Sequence, residues 1–352
     1  MFKNRIERKP DFKRLKKVLL RDGEPDHLPF YELFADGSVV RAITGKLAGI
    51  EANVEFQYKM GYDYVYTGGK FSYPLRKINT VEDTASPGTG AKRGFADDNR
   101  GEIENRADFD AYPWPEISGD FMENIEEYTR LLPEGMKMLI GSIGIYESVT
   151  ALMGHIPFSY ALQDDEGLVS DMFEKIGTDA VRAMETVMDK ADIRKLGAVV
   201  MGDDLGYSQG TMISPIMLRK YVFPWQKRIA DIAHNHDLPF ILHSCGNLEE
   251  VMDDLIGYVG IDAKHSFEDK ILPVTEAKKR YGDKIAVLGG VDMNFLASAR
   301  KEEVEPYVTK VMRACMPGGG YALGTGNSVA NYIPVSNYLE MLRVGREKGS
   351  YL

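Results

Sequence analysis

Residues 238–246 read LPFILHSCG. An apolar run closed by a glycine reads as a strand that ends in a turn. On a strand, side chains two positions apart point to the same side. His243 and Cys245 therefore face one way at the strand's end, where Gly246 lets the chain turn. An imidazole and a thiol so placed are either metal ligands or a hydrogen-bonded histidine beside a core cysteine. The spacing alone leaves both readings open.

The pattern recurs on either side of this stretch. YDYVYTG (62–68), KMLIGSIG (137–144), LGAVVMGDD (196–204), GIDAKHS (260–266), KIAVLGGVD (284–292) and GYALGTGN (320–327) are further strand candidates, with HLPFYEL (27–33) as a first strand. Helical stretches such as LVSDMFEKIGTDAVRAMETVMDKADI and SPIMLRKYVFPWQKRIADIAHNHD separate them. Strand–helix alternation repeated about eight times predicts an α/β fold with a parallel sheet, closed at this length into a (β/α)8 TIM barrel. An open doubly wound sheet would place a glycine-rich phosphate loop after the first strand. None stands there; GGVD and MPGGGYALGTG come late and lack phosphate-loop spacing.

Two segments depart from the alternation. The charged N-terminus predicts an amphipathic helical extension, with Phe12, Leu15, Val18 and Leu19 on one side. Residues 71–118 have no clear period until their end, and TASPGTGAKRG within them reads as turn chemistry. An inserted hairpin or loop over the barrel mouth is expected there. The whole chain, 1–352, is read as one such domain.

Composition narrows the function. The net charge is −10 and no dense basic run appears, which argues against a nucleic-acid surface. The two cysteines, Cys245 and Cys315, exclude a disulfide scaffold and suit a reducing cytoplasm. No signal-like apolar core and no apolar run of about 18 residues predicts a membrane segment.

Parallel barrels place their chemistry at the carboxyl ends of the strands. The polar residues expected there are Glu32, Glu147, Asp203, Asp204, His243, Cys245, His265, Asp292, Thr325 and Asn327. Glu147, Asp203 and Asp204 could be metal ligands, acid–base groups or substrate anchors, or else helix caps and loop ion pairs. Asp204 also reads as a turn-former before Gly206, and Asp292 as a cap for the helix that follows. His234 and His236 read as surface residues at a helix end, and Cys315 as a buried helix residue.

From SPIMLRKYVF at 214–223 through LHSCG, IDAKHS, VLGGVD and YALGTGN, the chain resembles the uroporphyrinogen decarboxylase superfamily. That superfamily includes cobalamin-dependent methyltransferases acting on methanol, methylamine and aryl methyl ethers. The resemblance covers about 200–352 well and 27–200 loosely, and it implies the barrel fold. The decarboxylase branch carries two arginines in a loop after strand one, yet residues 27–40 contain none. Its late histidine falls at Thr325. A substrate with many carboxylates needs fixed cations. The methyltransferase branch carries zinc on an H-x-C pair, which His243 and Cys245 match, and on a late cysteine, which also falls at Thr325.

The resemblance thus points to the methyltransferase branch, of the O-demethylase type. It implies zinc on His243 and Cys245, with a third ligand from elsewhere: Glu147 first, then Asp203, with His265 and Asp292 behind them. The implied reaction moves a methyl group from an O-methyl substrate, an aryl methyl ether, to cob(I)alamin. Glu147 and Asp203 would be the catalytic acids. Tyr146, Tyr207, His265 and Asn327, with Phe267, would line the donor site. The chain has no D-x-H-x-x-G cobalamin motif, so the corrinoid is expected on a partner protein that the acidic surface could steer. Two copies could also pair as a homodimer. A metal-free decarboxylase of a small carboxylated substrate is the alternative, with Arg41 and Arg76 as its early cation candidates. A non-catalytic binding protein is the third.

Overall fold

Seven parallel strands form the centre: β1 (Tyr64–Gly68), β2 (Lys137–Ser142), β3 (Leu196–Gly202), β4 (Phe240–His243), β5 (Ala263–His265), β6 (Ala286–Leu288) and β7 (Tyr321–Ala322). The structure is a computed structural model and describes residues 9–75, 78–83 and 92–351. Neighbours in the sheet follow chain order, and every pairing is parallel. Helical segments join the strands, so each crossover turns the same way and the sheet curls.

Alternation along the strands separates two cores. Tyr64, Leu139, Ala198, Val200, Ile241 and Ala263 face inward and join Phe30, Tyr31 and Leu288. Val65, Met138, Ile140, Val199, Met201 and Leu242 face outward under the helices. The longest of these helices, Glu166–Lys190, is capped by the Asp165 carboxylate, which accepts from Leu168 N at 2.9 Å. It buries Leu168, Met172, Phe173, Ile176 and Val187 on one face.

The barrel does not close, contrary to the sequence expectation. HLPFYEL is extended beside β7, but it meets it only at the isolated bridge of Phe30 with Leu323. On its other flank a side chain stands where a ladder would run. The Tyr64 hydroxyl donates to Glu32 O at 2.5 Å and accepts from Glu32 N at 2.7 Å. That phenol uses up the backbone groups β1 would need, and Pro29 has no N–H to offer. The result is a TIM-barrel-like curled sheet with a seam.

The insertion after β1 contains an antiparallel hairpin, Ile78–Glu82 with Lys92–Ala96, and a short helix, Arg106–Ala111. Most of TASPGTGAKRG, residues 84–91, and Arg76 lie outside the described residues. The N-terminal helix spans Lys13–Leu19 and buries Leu15, Val18 and Leu19; residues 1–8 lie outside the description. Among the described residues no helix is long and apolar enough to cross a membrane.

Candidate metal centre

β4 ends at His243, and Cys245 follows two residues later. Gly246 then turns at φ 83°, and a Cβ there would lie 2.1 Å from the backbone of Gly206. Only glycine lets this turn press against the hairpin Gly206–Tyr207 with Gly210–Thr211. On the neighbouring strand, Gly202 of β3 is in register with His243. Two residues beyond each stand Asp204 and Cys245, side by side. Asp204 Oδ1 accepts from the Cys245 backbone N–H at 2.8 Å.

Three ligand atoms converge here. His243 Nε2 lies 3.7 Å from Cys245 Sγ and 3.9 Å from Asp204 Oδ1, and all three atoms fall within 4.8 Å of one another. Zinc bonds of about 2.0–2.3 Å at tetrahedral angles put ligand atoms about 3.4–3.6 Å apart. The trio is therefore near the spacing zinc requires, and its N, S and O donors are the kinds zinc takes.

The histidine tautomer can be worked out along a chain of contacts. The Thr325 carbonyl can only accept, so His265 Nε2, 3.3 Å away, carries a hydrogen. Burial holds His265 well below its usual range, so its ring is neutral and Nδ1 is an acceptor. His243 Nδ1, 2.7 Å from that acceptor, must then donate. His243 is itself neutral, since burial lowers it to about 4. Its Nε2 is left with a free lone pair directed at Cys245 and Asp204. A metal-binding histidine is usually oriented in this way by the hydrogen bond on its far nitrogen.

Cys245 receives two donors, Asn327 Nδ2 at 3.1 Å and Ser266 Oγ at 3.5 Å. Burial and then the Asp204 charge push its thiol up to about 12. Without a cation it is a thiol at neutral pH, and cation binding would displace the proton. Ser266 holds its hydroxyl there at φ 80°, a region side-chain-bearing residues rarely adopt. Beneath the loop, Lys264 is buried and donates to the carbonyls of Ser244 (3.0 Å), His265 (3.4 Å) and Ser266 (2.7 Å). Burial lowers its ammonium to about 8, and it lies 4.5 Å from the Phe267 ring centre.

The other expected site residues divide. Glu147 is not one of the three converging donors; Asp204 takes that place. Glu147 lies in the first turn of the helix Ile145–Met153, exposed on the wall of an adjoining cleft. Partial burial of its carboxyl among the neighbouring groups, then the Asp203 and Asp204 charges, push it up to about 8. Asp203 is fully buried and caps the same helix, accepting from Glu147 N (2.9 Å), Tyr146 N (3.2 Å) and Gln226 Nε2 (2.8 Å). Burial raises it to about 6 against those hydrogen bonds. Tyr146 is buried with its ring 5.9 Å from that of Phe158, Tyr207 is half exposed on the hairpin, and His265 stands behind His243. Asn327 serves the sulfur. Asp292 caps the helix Met293–Ser298 through Phe295 N at 2.7 Å. His234 pairs with Asp262 at 2.8 Å.

The adjoining cleft has a volume of about 580 Å³. Tyr66, Phe71, Tyr73, Phe121, Ser142 and Glu147 help line it. The buried Ser142 Oγ has no hydrogen-bond partner. Among the described residues no lysine or arginine lines it. Ser142, Ser266 and Lys264 were not anticipated; nothing in their local sequence marks them, since their roles depend on neighbours from other strands.

Three comparisons bear on this arrangement. The sequence pattern of the family described as uroporphyrinogen decarboxylase (URO-D) matches residues 168–347, from the longest helix into the C-terminal helix Val335–Lys348. A uroporphyrinogen decarboxylase of Hordeum vulgare is 24% identical over 233 residues, 63% of this chain and 68% of that protein. The solved structure of a methyltransferase from Methanosarcina mazei superposes with a TM-score of 0.68 at 14% identity, covering 96% of this chain and 99% of that one. At that identity the likeness establishes a shared fold. With the family pattern spanning just over half its length, the chain belongs to the uroporphyrinogen decarboxylase family.

Proposed function

We propose that the protein is a zinc-dependent methyltransferase that takes a methyl group from an uncharged O-methyl substrate, an aryl methyl ether, and passes it to cob(I)alamin on a separate corrinoid protein. The observation that carries this reading is the convergence of the His243 lone pair, Cys245 Sγ and Asp204 Oδ1 at the carboxyl end of the sheet. His243, Cys245 and Asp204 would hold the metal. Zinc bound there would supply a Lewis acid for the charge that develops on the departing oxygen.

The chain's own residues do the rest. Tyr66, Phe71, Tyr73 and Phe121 give the cleft an aromatic wall suited to a planar ring. Glu147 is in its acid form at neutral pH, because its carboxyl is raised to about 8. As the methyl–oxygen bond breaks, its electron pair stays on oxygen, and Glu147 protonates the phenolate. The methyl goes to the nucleophilic acceptor.

The matched barley decarboxylase favours a second reading, decarboxylation of a small carboxylated substrate with Glu147 as proton donor. A carboxylate bound in the cleft would want a fixed cation. Arg41 is exposed on the helix Gly37–Thr44 and does not line the cleft. The test is incubation with cob(I)alamin and a set of methoxylated phenols, followed by the absorbance of methylcobalamin. Methylation by the wild type, lost in His243→Ala and Cys245→Ser, is expected. No methylation with any phenol, together with carbon dioxide release from small carboxylates by metal-free protein, would replace this reading with the second.

A further inference from the structure

Glu32 is buried at the seam of the sheet, far in sequence from the metal-site residues, and the reaction above gives it no role. Its carboxyl grips Thr325: Oε1 accepts from Thr325 N at 2.7 Å, and Oε2 lies 2.6 Å from Thr325 Oγ1. Thr325 Oγ1 also lies 2.8 Å from the backbone carbonyl of Asn327. A hydroxyl has one hydrogen, and that carbonyl can only accept. Two full hydrogen bonds, rather than one hydrogen shared between two acceptors, need the following arrangement. Thr325 donates to Asn327 O, and Glu32, as a carboxylic acid, donates to Thr325. Burial, which pushes Glu32 up to about 8, agrees with that form.

Two arms run from Thr325 to the metal-site side chains. Its carbonyl fixes the hydrogen on His265, which fixes the one on His243 and frees Nε2. Its hydroxyl holds the Asn327 backbone, whose side-chain amide reaches Cys245 Sγ at 3.1 Å. The junction has no slack: a Cβ at Gly324 would lie 1.8 Å from Tyr31 O. We infer that Glu32 is a positioning residue which, in its acid form and through Thr325, sets both the tautomer of His243 and the placement of the Cys245 sulfur. The inference rests on the reading of His243, Cys245 and Asp204 as metal ligands.

Glutamine reproduces both contacts of the acid: its carbonyl can accept from Thr325 N and its amide can donate to Thr325 Oγ1. Alanine reproduces neither. The experiment compares wild type, Glu32→Gln and Glu32→Ala by two readouts: imidazole 15N shifts in metal-free protein, and absorbance on titration with Co(II). Wild type and Glu32→Gln should both show His243 protonated at Nδ1 alone and bind Co(II) equally well. Glu32→Ala should show mixed tautomers at His243 and about 10–100-fold weaker Co(II) binding, the range seen when a ligand's outer partner is lost. Unchanged tautomers and affinity in Glu32→Ala would overturn the inference, as would a Glu32→Gln that behaves like Glu32→Ala. A wild type that takes up no Co(II) would sink the metal reading, while the 15N comparison still decides the role of Glu32. If Glu32→Ala does not fold, Thr325→Val removes only the hydroxyl. It should weaken Co(II) binding through the Asn327 arm, and unchanged binding would count against the inference.

Discussion

Asp204 and Glu147 are two carboxylates near one centre with different neighbours. Asp204 stands beside Cys245 and is one of three converging donors; Glu147 faces the cleft and is held in its acid form up to about pH 8. Their substitutions should therefore separate. Asp204→Ala is expected to lower metal affinity by at least about tenfold, the lower end of what even an outer partner costs. Glu147→Gln is expected to leave metal content unchanged and to abolish turnover. Turnover by the wild type should also fall as pH rises through about 8, where Glu147 loses its proton. Metal content and pH–rate profiles of the two variants check this. Equal metal loss in both would place Glu147 among the ligands.

At the scale of elements, the helices take their places by close contacts that the strands' alternation does not specify. Gly177, inside the helix Glu166–Lys190, is an example: a Cβ there would lie 2.0 Å from the Trp225 ring. Alanine would gain about 1 kcal/mol of helix propensity. Forcing a methyl into a filled core costs about 1–3 kcal/mol. The clash is expected to win, so Gly177→Ala should lower the denaturation midpoint, and a raised midpoint would show that Trp225 moves freely. The seven strands lie within stretches whose apolar, β-branched composition already marked them. The seam did not show in HLPFYEL, because it depends on where the phenol of Tyr64 ends up. The site divides similarly. His243 and Cys245 were legible from the period of a strand, whereas Asp204 as their partner follows from the register of Gly202 with His243, which only pairing reveals. The sequence order of candidates put Glu147 first and Asp203 second and left Asp204 out, since nothing local distinguishes a ligand from a neighbouring acid.

For the molecule as a whole, two buried acids link stability to pH. Burial raises Glu32 to about 8 and Asp203 to about 6, both above their usual carboxyl values. A carboxyl with a raised folded value binds its proton more tightly in the native state. Its contribution is complete below the unfolded value and is lost as pH rises through the folded one. The lowered His243 and His265 act in the opposite sense below about pH 6.5, so the decline should show between about pH 7 and 8, where Glu32 and Glu147, both raised to about 8, give up their protons. Thermal melts of Glu32→Gln should be flatter than wild type above pH 7. Equal slopes in wild type and Glu32→Gln above pH 7 would contradict the assignment of Glu32.

The central claim is that one strand end holds a metal, and the direct measurement is elemental analysis of protein purified without a chelating tag or added metal. The account predicts about one zinc per chain, for the one convergence of three donors among the described residues, and its loss in both His243→Ala and Cys245→Ser. No zinc, with none taken up on titration, or full zinc retained in both variants, would contradict it.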